Sequence, residues 1–535
     1  MKKRLLISLV ILVVISGSLL WGLDVQGLRA FSEDLYNKIK IFTTVLDIVQ
    51  RTYVEEVNPE ELIEDALKGM LSNLDPHTCY LPSDLYQLWS QDFEGYSGIG
   101  IRFDIINDKI TVMSVMEDGP SYRVGILPGD RIIAIEGESA IGMKRDEVPK
   151  KLMGPVGTPV TLTIEREEFK KPKDFVVMRE KIVLESISQA FMIKPSIGYI
   201  KLERFTRTTS SELDAALKDL EQKGMEKLLL DLRGNSGGYF EAAVAVADKF
   251  IPGVRKIVYT AGRTQNSNKS YYSTDEGSYP LWPLIVLIDH GSASSSEIVA
   301  GAIQDWDRGL IVGQTSFGKG LVQSQFRFQD QSALLITTAK YYTPLGRLIQ
   351  REYKHKTKEE YYEQAYNDSS RILAATSTRP LFKTISGRTV YGGGGITPDI
   401  EITSKEPPLS EAMRRLIFAE PRFFYTFAEN YARQHPELKS EFNRFLSQFV
   451  VDDQSFQDFV KLVRESKFEF SDEAFNENKE PIKFFIKREL AYKLWDEEAR
   501  FKVNILKDTQ LTEALTYFPM AEELLATALP FYNKK

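Results

Sequence analysis

The chain has 535 residues and a single cysteine, Cys79. No disulfide can close within it, and no cysteine-based metal cluster can be assembled. A lone cysteine suits an exported chain that avoids adventitious oxidation, and the lack of one near the N-terminus argues against a lipid-modified start. Histidine is almost as scarce: His77, His290, His355 and His435 are the whole set. No H-E-x-x-H pattern occurs, which excludes the zinc-peptidase helix. His290 lies close to Ser294, but both flank one tight turn, a poor geometry for a Ser-His-Asp arrangement. Basic charge is in deficit, with 68 Lys and Arg against 75 Asp and Glu and a net charge of −7. No excess is left to neutralise phosphates, so nucleic acid is not an expected partner. Tandem repeats and long low-complexity segments are absent, and there is only one long apolar run.

That run, Leu5 to Leu23, follows Lys2, Lys3 and Arg4. A basic flank before an uncharged apolar stretch is the layout of an export signal, and about 19 residues reach the lower part of the membrane-spanning range. No A-x-A site follows, so residues 1–28 are expected to be an uncleaved signal anchor rather than a cleaved signal peptide. The basic flank would stay cytoplasmic, with the rest of the chain outside. Elsewhere, 43% hydrophobic and 27% charged residues give an ordinary globular balance. The length allows about two to four domains.

Periodicity divides the chain. Phe42, Val45, Ile48 and Val49, then Leu62, Ile63, Ala66, Leu67 and Met70, recur at helical spacing, marking 29–90 as a helical N-terminal region. It reads as helical through Trp89, with a turn at Leu74-Asp75-Pro76-His77-Thr78. Residues 91–168 read as short strands and turns with one short helix around Asp146 to Leu152, a compact mainly-β domain. Pro149 falls within that helix, where only the first turn tolerates proline, so the helix is expected to start late. From 169 to 405, apolar strands (Ile197–Leu202, Leu228–Leu232, Leu284–Ile288, Leu310–Val312) alternate with helices (Leu213–Leu220, Glu241–Phe250, Ser296–Gln304). Such alternation marks an α/β core. A polar insertion, Lys354 to Asp368, interrupts it. Residues 406–535 read as a helical, aromatic-rich domain, either a satellite unit or a surface for protein contact.

Three stretches carry chemistry. Gly291-Ser292-Ala293-Ser294-Ser295-Ser296-Glu297-Ile298 joins a buried strand to a helix. Small residues permit a sharp turn that projects a serine hydroxyl at a helix N-terminus, where free backbone N–H groups can meet a developing negative charge. Helix capping by Ser295 or Ser296 is the plainer alternative. In Ser316-Phe317-Gly318-Lys319-Gly320-Leu321-Val322-Gln323, a lysine sits between glycines among apolar residues. A lysine that acts as a base must be neutral, and burial lowers its pKa. Gln323, four residues on, shares a face with Lys319 in an extended chain and could orient the amine. The third stretch, Asp231-Leu232-Arg233-Gly234-Asn235-Ser236-Gly237-Gly238, follows a strand. Its glycines can bring a backbone N–H close to a substrate carbonyl.

Together these stretches resemble the tail-specific (carboxyl-terminal processing) serine peptidases. The interval from Ser294 to Lys319 is 25 residues, as that family's pattern requires, which singles out Ser294 over Ser292 and Ser296. The resemblance implies a crotonase/Clp-protease-like α/β peptidase core, with an inserted mainly-β PDZ domain and helical N- and C-terminal regions. It implies Ser294 as nucleophile, Lys319 as general base, Gln323 as the lysine's partner, and an oxyanion hole from the amides of Gly238 and Ser295. Gly98-Ile99-Gly100-Ile101 is similar to the PDZ loop that holds a peptide's terminal carboxylate. Tyr341-Tyr342-Thr343-Pro344-Leu345-Gly346-Arg347 and Gly395-Ile396-Thr397-Pro398-Asp399 fit the same pattern. Met153 departs from it, since family members often carry a basic residue there, so a switch relying on that basic side chain does not carry over from the resemblance. The implied activity is endoproteolysis of exported proteins near their flexible C-terminal ends, with no metal or nucleotide cofactor. It would take place on the periplasmic or extracytoplasmic side of a bacterial inner membrane. An adaptor protein and self-association are further expected partners. The competing expectation is a non-catalytic PDZ scaffold at the membrane.

Overall fold

The computed structural model describes residues 33–533 except 117–118, 146, 167–168, 275–278, 280, 368–378, 420–421 and 467. The expected anchor at 1–28 lies outside the described residues. Among those described, no helix is long and apolar enough to cross a membrane.

The apolar strands assemble into a six-stranded sheet, ordered Ile187–Lys194, Ile197–Leu202, Lys227–Asp231, Leu284–Ile288, Leu310–Gly313 and Ile400–Glu401. The first pair is antiparallel and the others parallel. Their unbroken apolar character follows from burial on both faces. Leu228, Leu230, Val286 and Ile288 pack against Leu213, Val246 and Val299 from the helices Thr209–Gln222, Phe240–Asp248 and Ser295–Asp305. Alternate residues Leu229, Ile285 and Leu287 face the other way, onto Leu511, Ala514, Phe518 and Ala521. The tail is therefore not one satellite domain. Residues 411–505 carry a core of their own around Phe424, Phe459, Ile486 and Leu490, whereas Thr509–Ala514 and Phe518–Tyr532 form the second layer of the α/β core.

A second sheet is antiparallel and built around Ala333–Tyr342, which pairs with Leu321–Arg327, Lys256–Ala261 and Cys79–Leu81. The strand Cys79–Leu81 corrects the helical reading of the region up to Trp89. It is too short to show a period, and its partners Leu335 and Ala333 lie far along the chain.

The small domain is a sheet in the order Ile101–Ile106, Lys109–Val115, Arg131–Ile135, Pro159–Glu165 and Lys173–Met178. It buries Ile110, Val112, Ile132, Val160, Leu162 and Val177. Its last strand lies beyond residue 168, where the sequence reading ended the domain. Pro149 sits in the first turn of a five-residue helix, Val148–Leu152, a late start as expected from the proline. Tyr96–Gly98 pairs with Glu180–Ile182 where the chain enters and leaves this domain.

Candidate active site

The strand Leu284–Ile288 ends at Asp289, whose carboxylate accepts from the amides of Gly234 (2.8 Å) and Gly291 (2.9 Å). The chain then turns into the helix Ser295–Asp305 with Ser294 at its N-cap, at φ 54° and ψ −111°. A non-glycine residue held in so sparse a region costs about 1–3 kcal/mol and persists only where its surroundings fix it. Ser294 N donates to Glu297 Oε2 at 2.8 Å, and Ser294 O accepts from Tyr341 Oη at 3.0 Å. The neighbouring hydroxyls stitch this turn to the 231–238 loop. Ser292 donates to Leu232 O (2.8 Å), Ser295 to Gly238 O (3.0 Å) and Ser296 to Asn235 O (2.8 Å).

The glycines of that loop are required by contact. A Cβ on Gly237 would lie 2.9 Å from Ser294 Cβ, and one on Gly238 would lie 2.0 Å from Phe205 O. Among the described residues, the amides of Gly238 and Ser295 have no protein acceptor. Both residues line the same cleft as Ser294. At the base of the loop, Asp231 is buried and accepts from Tyr199 Oη (2.8 Å) and the Arg233 guanidinium (2.7 Å). Burial alone would raise its pKa, but Lys201 and Arg233 prevail and hold the carboxylate far below its ordinary range. Arg233 also donates to Asp508 (2.7 Å) and Gln510 (3.1 Å), so the tail is tied to the foot of the loop.

Across the cleft, Lys319 precedes the strand Leu321–Arg327. Its Nζ donates to Gln323 Oε1 at 2.7 Å, the contact that the extended spacing suggested. Gln323 Nε2 in turn donates to His77 O at 2.8 Å. Burial pushes the Lys319 amine below the ordinary lysine pKa, against the opposing pull of Asp75, Glu297 and Cys79. Among the described residues, no hydrogen bond joins Lys319 Nζ to the Ser294 hydroxyl. Both nonetheless line a cleft of about 860 Å³ that also includes Trp89, Gly238, Tyr239 and Gln323.

Glu297 joins the two sides, and the sequence reading gave it no role. Fully buried, its carboxylate accepts from Ser294 N, Ser316 Oγ (2.6 Å), Gly318 N (2.7 Å) and Lys319 N (2.9 Å). Burial pushes its pKa up while these four donors pull it down. One carboxylate thereby fixes the backbone of both Ser294 and Lys319. A signal for it was present, because Ser294-x-x-Glu297 has capping-box spacing. His77, whose carbonyl receives Gln323, has no such local signal.

The segment Gly98, Ile99, Gly100 and Ile101 does not line this cleft. It lies at the entrance to the small domain, buried throughout, with Gly100 at φ 70°. Ile99 O accepts from Ser121 N and Gly100 O from Met116 N. Met153 stands beside it, its Cγ 3.9 Å from where a Cβ on Gly98 would be. A basic side chain still reaches this corner: Arg179 donates to Leu152 O (2.9 Å) and Lys151 O (3.1 Å) at the end of the short helix. His290 turns its Nδ1 to Thr315 O, 2.9 Å away. Among the described residues, no group of His, Cys, Asp and Glu could hold a metal ion.

Residues 196–359 match peptidase family S41, 111–166 a PDZ domain, 24–84 the N-terminal domain of the activating protease CtpB, and 418–496 a family of unknown function. The carboxy-terminal-processing protease of Bartonella bacilliformis is 38% identical over 328 residues, covering 59% of this chain and 74% of that one. The carboxy-terminal processing protease CtpB of Bacillus subtilis is 34% identical over 310 residues, 57% of this chain and 64% of that one. Among solved structures, the photosystem II D1 C-terminal processing protease is 25% identical, covering 72% of this chain and 98% of its own, with a TM-score of 0.35. The chain belongs to peptidase family S41, the carboxy-terminal processing proteases, and carries a PDZ domain.

Proposed function

We propose that the chain cleaves exported proteins near their C-terminal ends with a Ser294/Lys319 dyad. The observation that carries this reading is the shared cleft: a serine at a helix N-cap and a lysine amine depressed by burial, with two unpartnered amides beside the serine. A neutral amine has two N–H bonds and one lone pair. Donating one N–H to Gln323 leaves the lone pair to take the Ser294 proton, and such catalytic contacts commonly tighten only with substrate bound.

As that proton moves to Lys319 Nζ, Ser294 Oγ bonds to the peptide carbonyl carbon and the C=O electron pair moves onto oxygen. The amides of Gly238 and Ser295 stabilise the oxyanion. Its collapse breaks the C–N bond, and the leaving amine takes the proton from Lys319. Water then gives a proton to the Lys319 amine and attacks the acyl carbon, and the ester C–O bond breaks as Ser294 Oγ takes that proton back.

In this reading the PDZ domain captures the substrate. The terminal carboxylate sits at Gly98 to Ile101, and the peptide adds as a strand beside Ile101–Ile106. The basic flank and apolar run at the N-terminus support a location at the outer side of a cytoplasmic membrane. An active-site-directed serine reagent should label Ser294 in the full chain and fail to label Ser294→Ala, which should also lose cleavage. Full activity in Ser294→Ala would remove the nucleophile assignment.

A further inference from the structure

The polar insertion has no role in the reaction just described. It nonetheless supplies a fully buried tyrosine, Tyr361, from the helix Lys358–Asn367. This residue lies just past the stretch that matches the peptidase family, which ends at 359.

A closed ring of hydrogen bonds runs through Tyr361. Lys319 Nζ donates to Gln323 Oε1 (2.7 Å), and Gln323 Nε2 donates to His77 O (2.8 Å). His77 Nε2 is 3.1 Å from Tyr361 Oη, which also accepts from Gln350 Nε2 at 3.1 Å. Gln350 Oε1 accepts from Gly320 N at 2.8 Å, and Gly320 follows Lys319. The ring therefore leaves the lysine side chain and returns to its own backbone through three remote segments. Tyr361 also packs edge-on to His77 and Phe317, in a cluster that includes Ala293 beside Ser294.

We propose that Tyr361 is a positioning residue for Lys319, and that the insertion helix is part of the catalytic unit rather than a surface appendage. The proposal rests on Lys319 being the base. Because Tyr361 Oη accepts from Gln350, its own proton is free to go to His77 Nε2, which requires a neutral imidazole. Burial and the nearby Lys319 push the His77 pKa down to about 3, which keeps it neutral at working pH. The hydroxyl thus fixes His77, His77 fixes the Gln323 amide, and Gln323 aims the amine. The charged and titratable groups facing Lys319 are Asp75, Glu297, Cys79 and His77. Asp75 is itself held by the amides of His77 and Thr78 and by the Thr78 hydroxyl.

Tyr361→Phe removes the hydroxyl and leaves the ring packing in place. Loss of one buried hydrogen-bonded link should lower kcat about tenfold with KM unchanged. A freed Gln323 admits water to the amine, so the acid limb of the kcat profile should move to higher pH. The test compares the full chain, Tyr361→Phe and Lys319→Ala on an unfolded reporter protein with a free apolar C-terminus, with Tm recorded for each. A fall in kcat together with an alkaline shift of the acid limb supports the proposal. Unchanged kcat and limb overturn it, as does a fall in kcat and Tm with the limb unmoved, which is the mark of a merely structural role. Wild-type activity in Lys319→Ala removes the base assignment and this proposal with it. Should Tyr361→Phe fail to fold, Gln350→Leu breaks the ring from the other side, and the same readings apply.

Discussion

The two sides of the cleft are built in different ways. The Ser294 side is local: one turn and one glycine loop, each following one of two paired parallel strands and stitched together by serine hydroxyls and backbone groups. The Lys319 side is assembled from afar. Its amine is held by Gln323, Gln323 by a carbonyl 246 residues away, and that histidine by a tyrosine 284 residues away. A nucleophile needs a sharp turn and an N-terminal helix end, which a short sequence can encode. A lysine that must be neutral needs a dry pocket, and burial needs neighbours from elsewhere in the chain. Glu297 belongs to both sides.

Removing that shared carboxylate should have the largest effect. In Glu297→Ala, three backbone amides and the Ser316 hydroxyl lose their buried acceptor. We expect kcat to fall at least about a hundredfold and stability to drop by about 3 kcal/mol or more. Kinetics and denaturant unfolding read the two. If only one side were disturbed, with Ser294 still reactive toward a serine reagent at the wild-type rate, Glu297 would not be the link described here.

Gly237→Ala strikes the Ser294 side alone. Its Cβ would meet Ser294 Cβ at 2.9 Å, at a backbone φ of 105°. Activity should fall by one to two orders of magnitude, roughly the rate equivalent of 1–3 kcal/mol of displaced geometry. The acid limb, which the proposed Lys319 base would set, should not move. A moved limb would show that the two sides are not separable.

The Lys319 side can be probed through stability. His77 titrates near 3 in the folded protein against 6.5 in the unfolded chain. Below pH 6.5 the unfolded chain binds a proton that the folded one does not, so stability falls as pH drops. The loss is about 2 kcal/mol at pH 5. His77→Gln should flatten this slope in unfolding experiments, and an unchanged slope would place the proton elsewhere. The gentlest effect lies at the alkaline end. With the Lys319 pKa depressed, the unfolded chain holds the extra proton between that value and 10.5. Stability therefore rises with pH across this window, and Lys319→Met should remove the rise.

The same contrast explains what was legible in the sequence. The turn at Ser294, the glycines facing it and the reach from Lys319 to Gln323 follow from spacing within a few residues. The buried strands were legible too, because a sheet covered on both faces makes an unbroken apolar run. The strand Cys79–Leu81 was not, since three residues show no period and their pairing is set by Ala333 to Leu335. Nor was Tyr361, which in sequence is one aromatic in a polar insertion. The division of the tail escaped for the same reason: Leu511 and Phe518 read as ordinary helix residues until the outer face of the sheet shows what they cover.

The most direct test of the account is cleavage of an unfolded protein with a free apolar C-terminus by the full chain, set against the same chain carrying Lys319→Ala. Turnover is expected from the wild type and none above background from the variant, with both proteins folded alike. Equal cleavage by the two would contradict it, because Lys319 would then not be the group that takes the Ser294 proton.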